Sequence, residues 1–258
     1  MITRREFALA GAVLASAPLA QAQSFPSRPI KMIVPFPPGG TADIQARLIG
    51  AHMSQSMGQP IVIESKPGGG TIIGSGFVAK SPPDGYTILL MANSFVINAK
   101  LHNNLPYDGI KAFEPIACMT NSPQVIAVNA ASPHRTFKEW VDAAKAKPGT
   151  VSYCTVGPAT TQHIAGEMLQ RAAGIKLIYA PFAGGTQAVN AVLAGHVDTV
   201  LANLSEMSAH LEAGKLRALA VTTTQRLDAL KQVPTVDESG YPGYEAAAWF
   251  GLSAPAGT

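Results

Sequence analysis

Two glycine-containing segments, separated by more than half the chain, have the composition of loops that bind anions through the main chain. They read Pro-Phe-Pro-Pro-Gly-Gly-Thr-Ala over residues 35–42 and Pro-Phe-Ala-Gly-Gly-Thr-Gln-Ala over residues 181–188. Glycine lets backbone N–H groups approach a ligand closely. The first N–H groups of a helix have no internal partner and lie at the positive end of the helix dipole. Two such loops, one on each side of a cleft, would hold a small carboxylate, although each loop alone also fits a structural turn.

Each segment follows a short apolar run and precedes a helical pattern, which predicts strand, loop and helix in that order. Thr41 and Thr186 are the predicted N-caps of the two helices. Strands and helices alternate along most of the remaining sequence, which predicts an α/β fold with parallel pairing. The strand-like run 115–129 is long enough to pass from one domain to another, and residues 249–254 predict a strand that returns to the first domain.

Residues 1–22 have the three parts of a secretory signal peptide. Arg4 and Arg5 form the basic start, an apolar stretch follows, and Ala20-Gln21-Ala22 is a small-residue cleavage site. The arginine pair, followed by Phe7, also matches a twin-arginine export signal. Sec and twin-arginine export remain alternatives, and both predict a periplasmic protein.

The composition argues against several other classes of protein. Charged residues make up 14% of the chain and the formal net charge is +3, without a basic run that would indicate nucleic-acid binding. Cys118 and Cys154 lie in strand-like segments without metal or redox spacing, so two buried free thiols are favoured over a disulfide. We expect no metal and no cofactor.

Sequence motifs spread along the chain after residue 22 carry a family resemblance. Besides residues 28–30 and the segment 33–40 with Asp43, they are Glu64-Ser65-Lys66-Pro67-Gly68-Gly69-Gly70, Pro83-Asp84-Gly85-Tyr86-Thr87, Leu105-Pro106-Tyr107-Asp108 and the segments 145–149, 163–167, 214–222, 233–236 and 249–252. In this combination the chain resembles the Bug proteins, the periplasmic substrate-binding proteins of tripartite tricarboxylate transporters.

The resemblance implies a fold and a function. The fold is a two-lobe Venus-flytrap periplasmic binding protein (type II-like), each lobe a mostly parallel sheet flanked by helices. Lobe 1 spans residues 23–123, with 223–258 returning to it, and lobe 2 spans residues 124–222. The function is that of a periplasmic solute receptor, not an enzyme, that binds a small organic anion and delivers it to the membrane components of the transporter. Family members continue past the position of Thr258, so we expect a further stretch that completes lobe 1.

The resemblance also implies a set of ligand-binding residues in the two glycine loops and in the turn that begins at residue 157. They are Phe36, Pro38, Gly39, Gly40, Thr41, Ala42, Asp43, Gly157, Thr160, Thr161, His163, Phe182, Ala183, Gly184, Gly185 and Thr186. Members commonly carry a tyrosine and a basic residue where this chain has Phe182 and Ala183, which favours a less charged or more apolar ligand here.

Some of these residues have a second interpretation. Asp43 is either a helix-start residue or a partner for an amine on the ligand. His163 and Glu167 have the i, i+4 spacing of an acid–base pair or of metal ligands, but a structural histidine is favoured. An exported hydrolase or lyase that uses Thr161, His163 or Cys154 is the alternative function, and the lack of a Gly-x-Ser-x-Gly or zinc motif counts against it. A sensor for a membrane kinase is a further alternative.

Overall fold

A nine-stranded sheet runs through residues 24–258, the part of the chain that the computed structural model describes. The strands are β1 (Ile30–Val34), β2 (Ile61–Ser65), β3 (Thr87–Ala92), β4 (Phe113–Asn129), β5 (Ser152–Thr155), β6 (Ile178–Pro181), β7 (Thr199–Asn203), β8 (Leu216–Val221) and β9 (Ala247–Pro255). The α-helices are α1 (Thr41–Met57), α2 (Ile72–Ala79), α3 (Asn93–Leu101), α4 (Phe137–Ala146), α5 (Thr161–Ala173), α6 (Gly185–Leu193) and α7 (Leu204–Glu212).

The sheet consists of two halves with the same pairing pattern. In the first half, β1 pairs in parallel with β2 and β3, and β9 runs antiparallel beside β3. In the second half, β5 pairs in parallel with β6 and β7, and β4 runs antiparallel beside β7 and β8. The predicted α/β fold is therefore confirmed, but each half is a mixed sheet and not a mostly parallel one, because β4 and β9 run antiparallel to their neighbours.

The long strand β4 belongs to both halves. It pairs antiparallel with β9 as far as Pro123, and from Gln124 onward it pairs with β7 instead. The predicted strand over 249–254 is thus present as part of β9, which returns to the first half after the second half is complete. The lobe limits at 23–123, 124–222 and 223–258 stay a prediction, because a change of strand partner does not define where a domain folds independently.

Helices cover both faces of each half and bury an apolar core on each face. In the second half, Trp140 of α4 and Leu169 of α5 lie in one core, and Val189 of α6 and Met207 of α7 lie in the other. The face of α4 is set by its sequence, since Phe137, Trp140, Val141 and Ala144 recur at helical spacing and are all buried. Burying such side chains is the main stabilising contribution to the fold.

Two helices of this fold were not predicted from the sequence. These are α3, which begins directly after β3, and α7, which begins directly after β7. No glycine loop separates either helix from its strand, so the pattern that identifies α1 and α6 is missing there.

The signal-peptide prediction lies outside the described residues. Within residues 24–258, none of the helices combines the length and apolarity needed to cross a bilayer. Both cysteines are free thiols, as favoured from the sequence. Cys154 is buried but Cys118 is exposed, so the expectation that both are buried is wrong for Cys118.

Candidate functional site

Both glycine loops join the carboxyl end of a strand to the start of a helix, as the sequence predicts. The first loop connects β1 to α1, and the second connects β6 to α6. The predicted N-caps are wrong, however. Gly40 and Gly184 are the capping residues, with extended backbone, and neither helix has a side-chain cap. Glycine has no side-chain acceptor, so the first main-chain N–H groups of both helices are not satisfied by a cap.

The two threonines after these glycines instead connect the halves of the molecule. The Thr41 hydroxyl hydrogen-bonds the Ser205 hydroxyl at 2.8 Å and accepts from the Asn203 amide at 3.1 Å. The Thr186 hydroxyl donates to the Gly39 carbonyl at 3.0 Å. The two loops therefore face each other across a closed cleft.

The glycines are required for different reasons at different positions. Gly39 has a φ of +83°, a conformation that favours glycine. Gly185 is not in that region, but a β-carbon there would overlap the carboxyl group of Glu206. A β-carbon on Gly40 would lie 3.3 Å from Glu206 Oε1, which is a tight but smaller conflict. Steric room for Glu206, not backbone strain, is the constraint at Gly40 and Gly185.

The cleft encloses a cavity, the inner cavity, at which five helices begin. Each of α1, α3, α5, α6 and α7 contributes its first residues or its N-cap to the wall. Since each helix N-terminus carries a partial positive charge and N–H groups without internal partners, their convergence favours a bound anion. The lining residues are Phe36, Pro37, Gly40, Thr41, Ala42, Ala92, Asn93, Ser94, Val156, Thr160, Thr161, Gln162, Gly184, Gly185, Asn203, Glu206, Ala248 and Phe250.

A second, neighbouring depression, the outer pocket, adjoins the inner cavity along Phe36, Pro37, Val156 and Thr160, which line both. Its other walls are the segment 67–71 of the first half and the two loops that contain Gly157 and Phe182. Three predicted site residues, Gly157, Phe182 and Ala183, line the outer pocket but not the inner cavity.

Glu206 is the one residue with an ionisable side chain among those that line the inner cavity. Its Oε2 accepts from the Asn203 N–H at 3.1 Å in a capping box at the start of α7, and its Oε1 accepts from the Thr41 N–H at 3.3 Å. Burial raises the pKa of the carboxyl, although the two N–H groups act in the opposite direction. Our sequence interpretation missed this residue, but the capping-box spacing of Asn203 and Glu206 was a usable signal.

Five of the predicted site residues line neither cavity: Pro38, Gly39, Asp43, His163 and Thr186. Of these, Asp43 is buried and supports the first glycine loop. Its carboxylate forms an ion pair with Arg47 and accepts from the Gly39 N–H at 3.1 Å. The hydrogen bond from Arg47 is the main cause that holds the pKa of Asp43 below its usual value, against the effect of burial. These contacts favour the structural role, which is one of the two interpretations of Asp43.

His163 contacts a group of side chains beside the cleft. Its ring stacks on Tyr179 with 4.4 Å between the ring centroids, and its Nε2 lies 3.9 Å from Glu167. Glu167 in turn accepts a hydrogen bond from the Tyr153 hydroxyl at 2.8 Å. Within residues 24–258, no group of three or more histidine, cysteine, aspartate or glutamate side chains is arranged to hold a metal ion.

A comparison with known families decides what kind of protein this geometry belongs to. The model of the tripartite tricarboxylate transporter family receptor, TctC, matches residues 45–258. The chain belongs to this family. The resemblance to Bug proteins is confirmed by one of the receptor's relatives, BugT of Bordetella pertussis, which is 34% identical over 98% of this chain and 79% of its own length.

Solved structures of similar receptors share the fold over nearly all of the chain. Rpa4515 of R. palustris, solved with adipate, is 33% identical with a TM-score of 0.88, covering 91% of this chain and 79% of that one. MatC from Rhodopseudomonas palustris, solved with bound malate, is 30% identical with a TM-score of 0.84. The match covers 91% of this chain and 80% of the MatC chain. This receptor therefore has the two-lobe fold of the periplasmic binding proteins of its family.

Proposed function

We propose that this receptor works in the periplasm, binds a small carboxylate between its two halves and passes it to the membrane components of a tripartite tricarboxylate transporter. The observation that carries this proposal is the inner cavity, where five helix N-termini converge and where the described part of the chain contributes no basic side chain to the wall. A carboxylate there would be held by main-chain N–H groups and not by an ion pair.

The polar side chains of the inner cavity support recognition by the main chain, because most of them are already bonded within the protein. Asn93 accepts from the Trp249 N–H and donates to the Ala247 carbonyl. Ser94 accepts from Thr71, and Gln162 donates to Asn203. Thr160 donates to the Gly157 carbonyl and caps α5. The Thr161 hydroxyl has no hydrogen-bond partner among the described residues, and the Ser94 hydroxyl only accepts there, so both can donate to a ligand.

The remaining wall of the inner cavity suits the carbon chain of a ligand. Phe36, Val156 and Phe250 present apolar surface, and proline and alanine residues complete it. Apolar walls with a few polar groups are typical of small-molecule sites. The similar receptors with adipate and with malate support a carboxylate as the ligand class.

The proposed ligand-binding residues are the sequence-predicted residues that line one of the two cavities. In the inner cavity they are Phe36, Gly40, Thr41, Ala42, Thr160, Thr161, Gly184 and Gly185, and in the outer pocket they include Gly157, Phe182 and Ala183.

We infer binding without chemical conversion, because Cys154 and His163 are poorly placed for catalysis and the Thr161 hydroxyl, which lines the inner cavity, has no hydrogen-bonded base among the described residues to activate it. The Cys154 thiol is buried, and burial raises its pKa to about 12, so it does not supply a thiolate at neutral pH. His163 lines neither cavity and contacts Tyr179 instead. No geometry among the described residues favours the hydrolase or lyase alternative.

The experiment is a thermal-shift screen of mono- and dicarboxylates, followed by calorimetry on each hit. A ligand at a hundredfold excess over its Kd stabilises the folded state by about 2.7 kcal/mol, which gives a clear shift. Mass spectrometry of the mixture after overnight incubation should recover the ligand unchanged. A flat response to all carboxylates would contradict the binding proposal, and a converted ligand would restore the enzyme alternative.

A further inference from the structure

The carboxyl group of Glu206 lies at the point where both glycine loops open into helices. It accepts from the Thr41 N–H at the start of α1, and it fills the space that a side chain on Gly185 would need at the start of α6. It also caps its own helix through the Asn203 N–H. One carboxyl group of the protein therefore already occupies a position that suits an anion at the junction of three helix N-termini.

Among the described residues, no basic side chain lines the inner cavity to compensate a second negative charge beside Glu206. Lysine, arginine and histidine are all missing from the part of its lining that residues 24–258 supply. The hydrogen-bond donors around Glu206 are neutral: the main-chain N–H groups of Thr41 and Asn203 and the Thr41 hydroxyl. A ligand carboxylate next to Glu206 would meet like charge without a shared counter-ion, which is costly at a binding interface.

A hydrogen-bond donor on the ligand would be attracted to the Glu206 carboxylate and not repelled by it. A carboxylate oxygen has several lone-pair sites, and each oxygen of Glu206 accepts one N–H in this structure. An ammonium or amide group on the ligand could therefore bind Glu206 without displacing Thr41 or Asn203.

We infer that Glu206 determines the specificity of this receptor: it selects solutes that carry one carboxylate and, at the other end, an ammonium or amide donor that contacts Glu206, and it disfavours dicarboxylates. This inference rests on the proposed function, because it assumes that a small carboxylate binds in the inner cavity. It names a residue and a ligand class that the two glycine loops alone do not specify.

The test compares ligands that differ only at one end. The panel consists of succinate, glutarate and adipate, their monoamides, and the ω-amino acids of the same chain lengths, each titrated by calorimetry. Wild-type protein should bind the best monoamide or ω-amino acid at least about tenfold more tightly than the dicarboxylate of equal length. Glu206→Gln keeps the side-chain shape and removes the charge, so its preference for the donor ligands should fall to within about threefold.

Two further variants complete the experiment. Glu212→Gln makes the same change of charge at the exposed end of α7 and should keep the wild-type preference. Glu206→Ala is a second neutral variant. If circular dichroism shows that the glutamine variant does not fold, the ligand preference is measured with the alanine variant instead.

The outcomes separate this inference from the proposed function. If wild-type protein binds dicarboxylates as tightly as their monoamides, or if both neutral variants keep the wild-type ratio, the inference is overturned and the receptor function stands. If folded wild-type protein binds no carboxylate in this panel or in the wider screen, the proposed function is overturned and the inference with it.

Discussion

Glu206 Oε1 accepts a hydrogen bond from the Thr41 main-chain N–H at 3.3 Å, although the two residues are 165 positions apart in the chain. Thr41 begins α1 in the first half of the molecule, and Glu206 lies in the first turn of α7 in the second half. The contact joins the halves across the cleft. It also brings together one predicted site residue and one that the sequence interpretation did not include.

A methyl group on Gly185 should destabilise the closed structure, because the added β-carbon overlaps the Glu206 carboxyl group. We expect Gly185→Ala to cost about 1–3 kcal/mol in the free energy of unfolding, the usual range for an overpacked site. Urea unfolding of the single and double variants measures the cost. In a Glu206→Ala background the same change should cost much less, because the conflicting group is gone.

Gly40→Ala serves as the graded control, since its β-carbon would lie 3.3 Å from Glu206 Oε1 and should have a smaller effect. An equal cost of Gly185→Ala with and without Glu206 would show that the two residues do not conflict.

Glu206→Gln should change how stability depends on pH. Below the unfolded-state pKa of a glutamate, about 4.3, the carboxyl is protonated in both states and burial costs little. As the pH rises above that value, the raised pKa in the folded state means that ionisation there is costly, so wild-type stability falls relative to the neutral variant. The amide nitrogen of glutamine cannot accept one of the two N–H groups that Glu206 accepts, which costs the variant some stability at every pH. The pH trend is the prediction: the stability of the glutamine variant relative to wild type should rise as the pH increases from about 4 to 8.

Urea titrations between about pH 4 and 8 measure the effect, with Glu212→Gln as the control for a change in net charge. No other residue that lines the inner cavity, on any of the five helices, has an ionisable side chain that would produce the same signal. A difference between variant and wild type that is the same at every pH would contradict the prediction.

Thr161→Val should weaken ligand binding more than His163→Ala does. Thr161 lines the inner cavity, and losing one hydrogen bond to a ligand costs about 0.5–3 kcal/mol, with the upper end for a charged partner. His163 stacks on Tyr179 beside the cleft, so its removal should lower stability by about 0.5–1.5 kcal/mol and leave affinity nearly unchanged. Calorimetry and thermal melting of both variants separate the two effects. If the His163→Ala protein folds but no longer binds the ligand, the prediction is wrong and His163 is a ligand-binding residue.

Replacing Arg4 and Arg5 with lysine tests the export route. If the pair belongs to a twin-arginine signal, the double variant should remain in the cytoplasm, because that pathway reads the arginine pair. Cell fractionation with an antibody against the chain measures the outcome. Unchanged export would assign the protein to the Sec pathway.

The parts of the fold that could be predicted from sequence are those with a local signal. Both glycine loops are preceded by short apolar runs and followed by helical patterns, so strand, loop and helix follow from adjacent residues. The helix from Thr41 to Met57 ends where Gly58 adopts a φ of +67°, a stop that glycine marks in the sequence. The strand-like run that became β4 was long enough to indicate a passage between two halves.

The centre of the site could not be predicted, because it depends on contacts between distant residues. Helices α3 and α7 follow their strands without a glycine loop, and both begin at the inner cavity. Glu206 therefore lay in a segment with no assigned element. Its capping box with Asn203 is a local signal, but its contact with Thr41 exists only in the folded chain. His163 was predicted in the site because of the turn that precedes it, whereas its ring stacks on Tyr179.

The shared strand β4 has a mechanical consequence for how the receptor opens. The first and second halves are joined along β4 and its antiparallel partner β9, whose pairing runs from Phe113↔Pro255 to Pro123↔Ala247. Register irregularities interrupt this ladder between Pro115 and Ala117 and between Cys118 and Thr120, and such irregularities locally bend and twist a strand. The hydrogen-bonded strands β4 and β9 form a ribbon that resists bending and returns to its resting shape, whereas a single flexible linker would not. In the receptor function that we propose, the resting curvature of this ribbon would set the angle to which the molecule returns after it releases its solute.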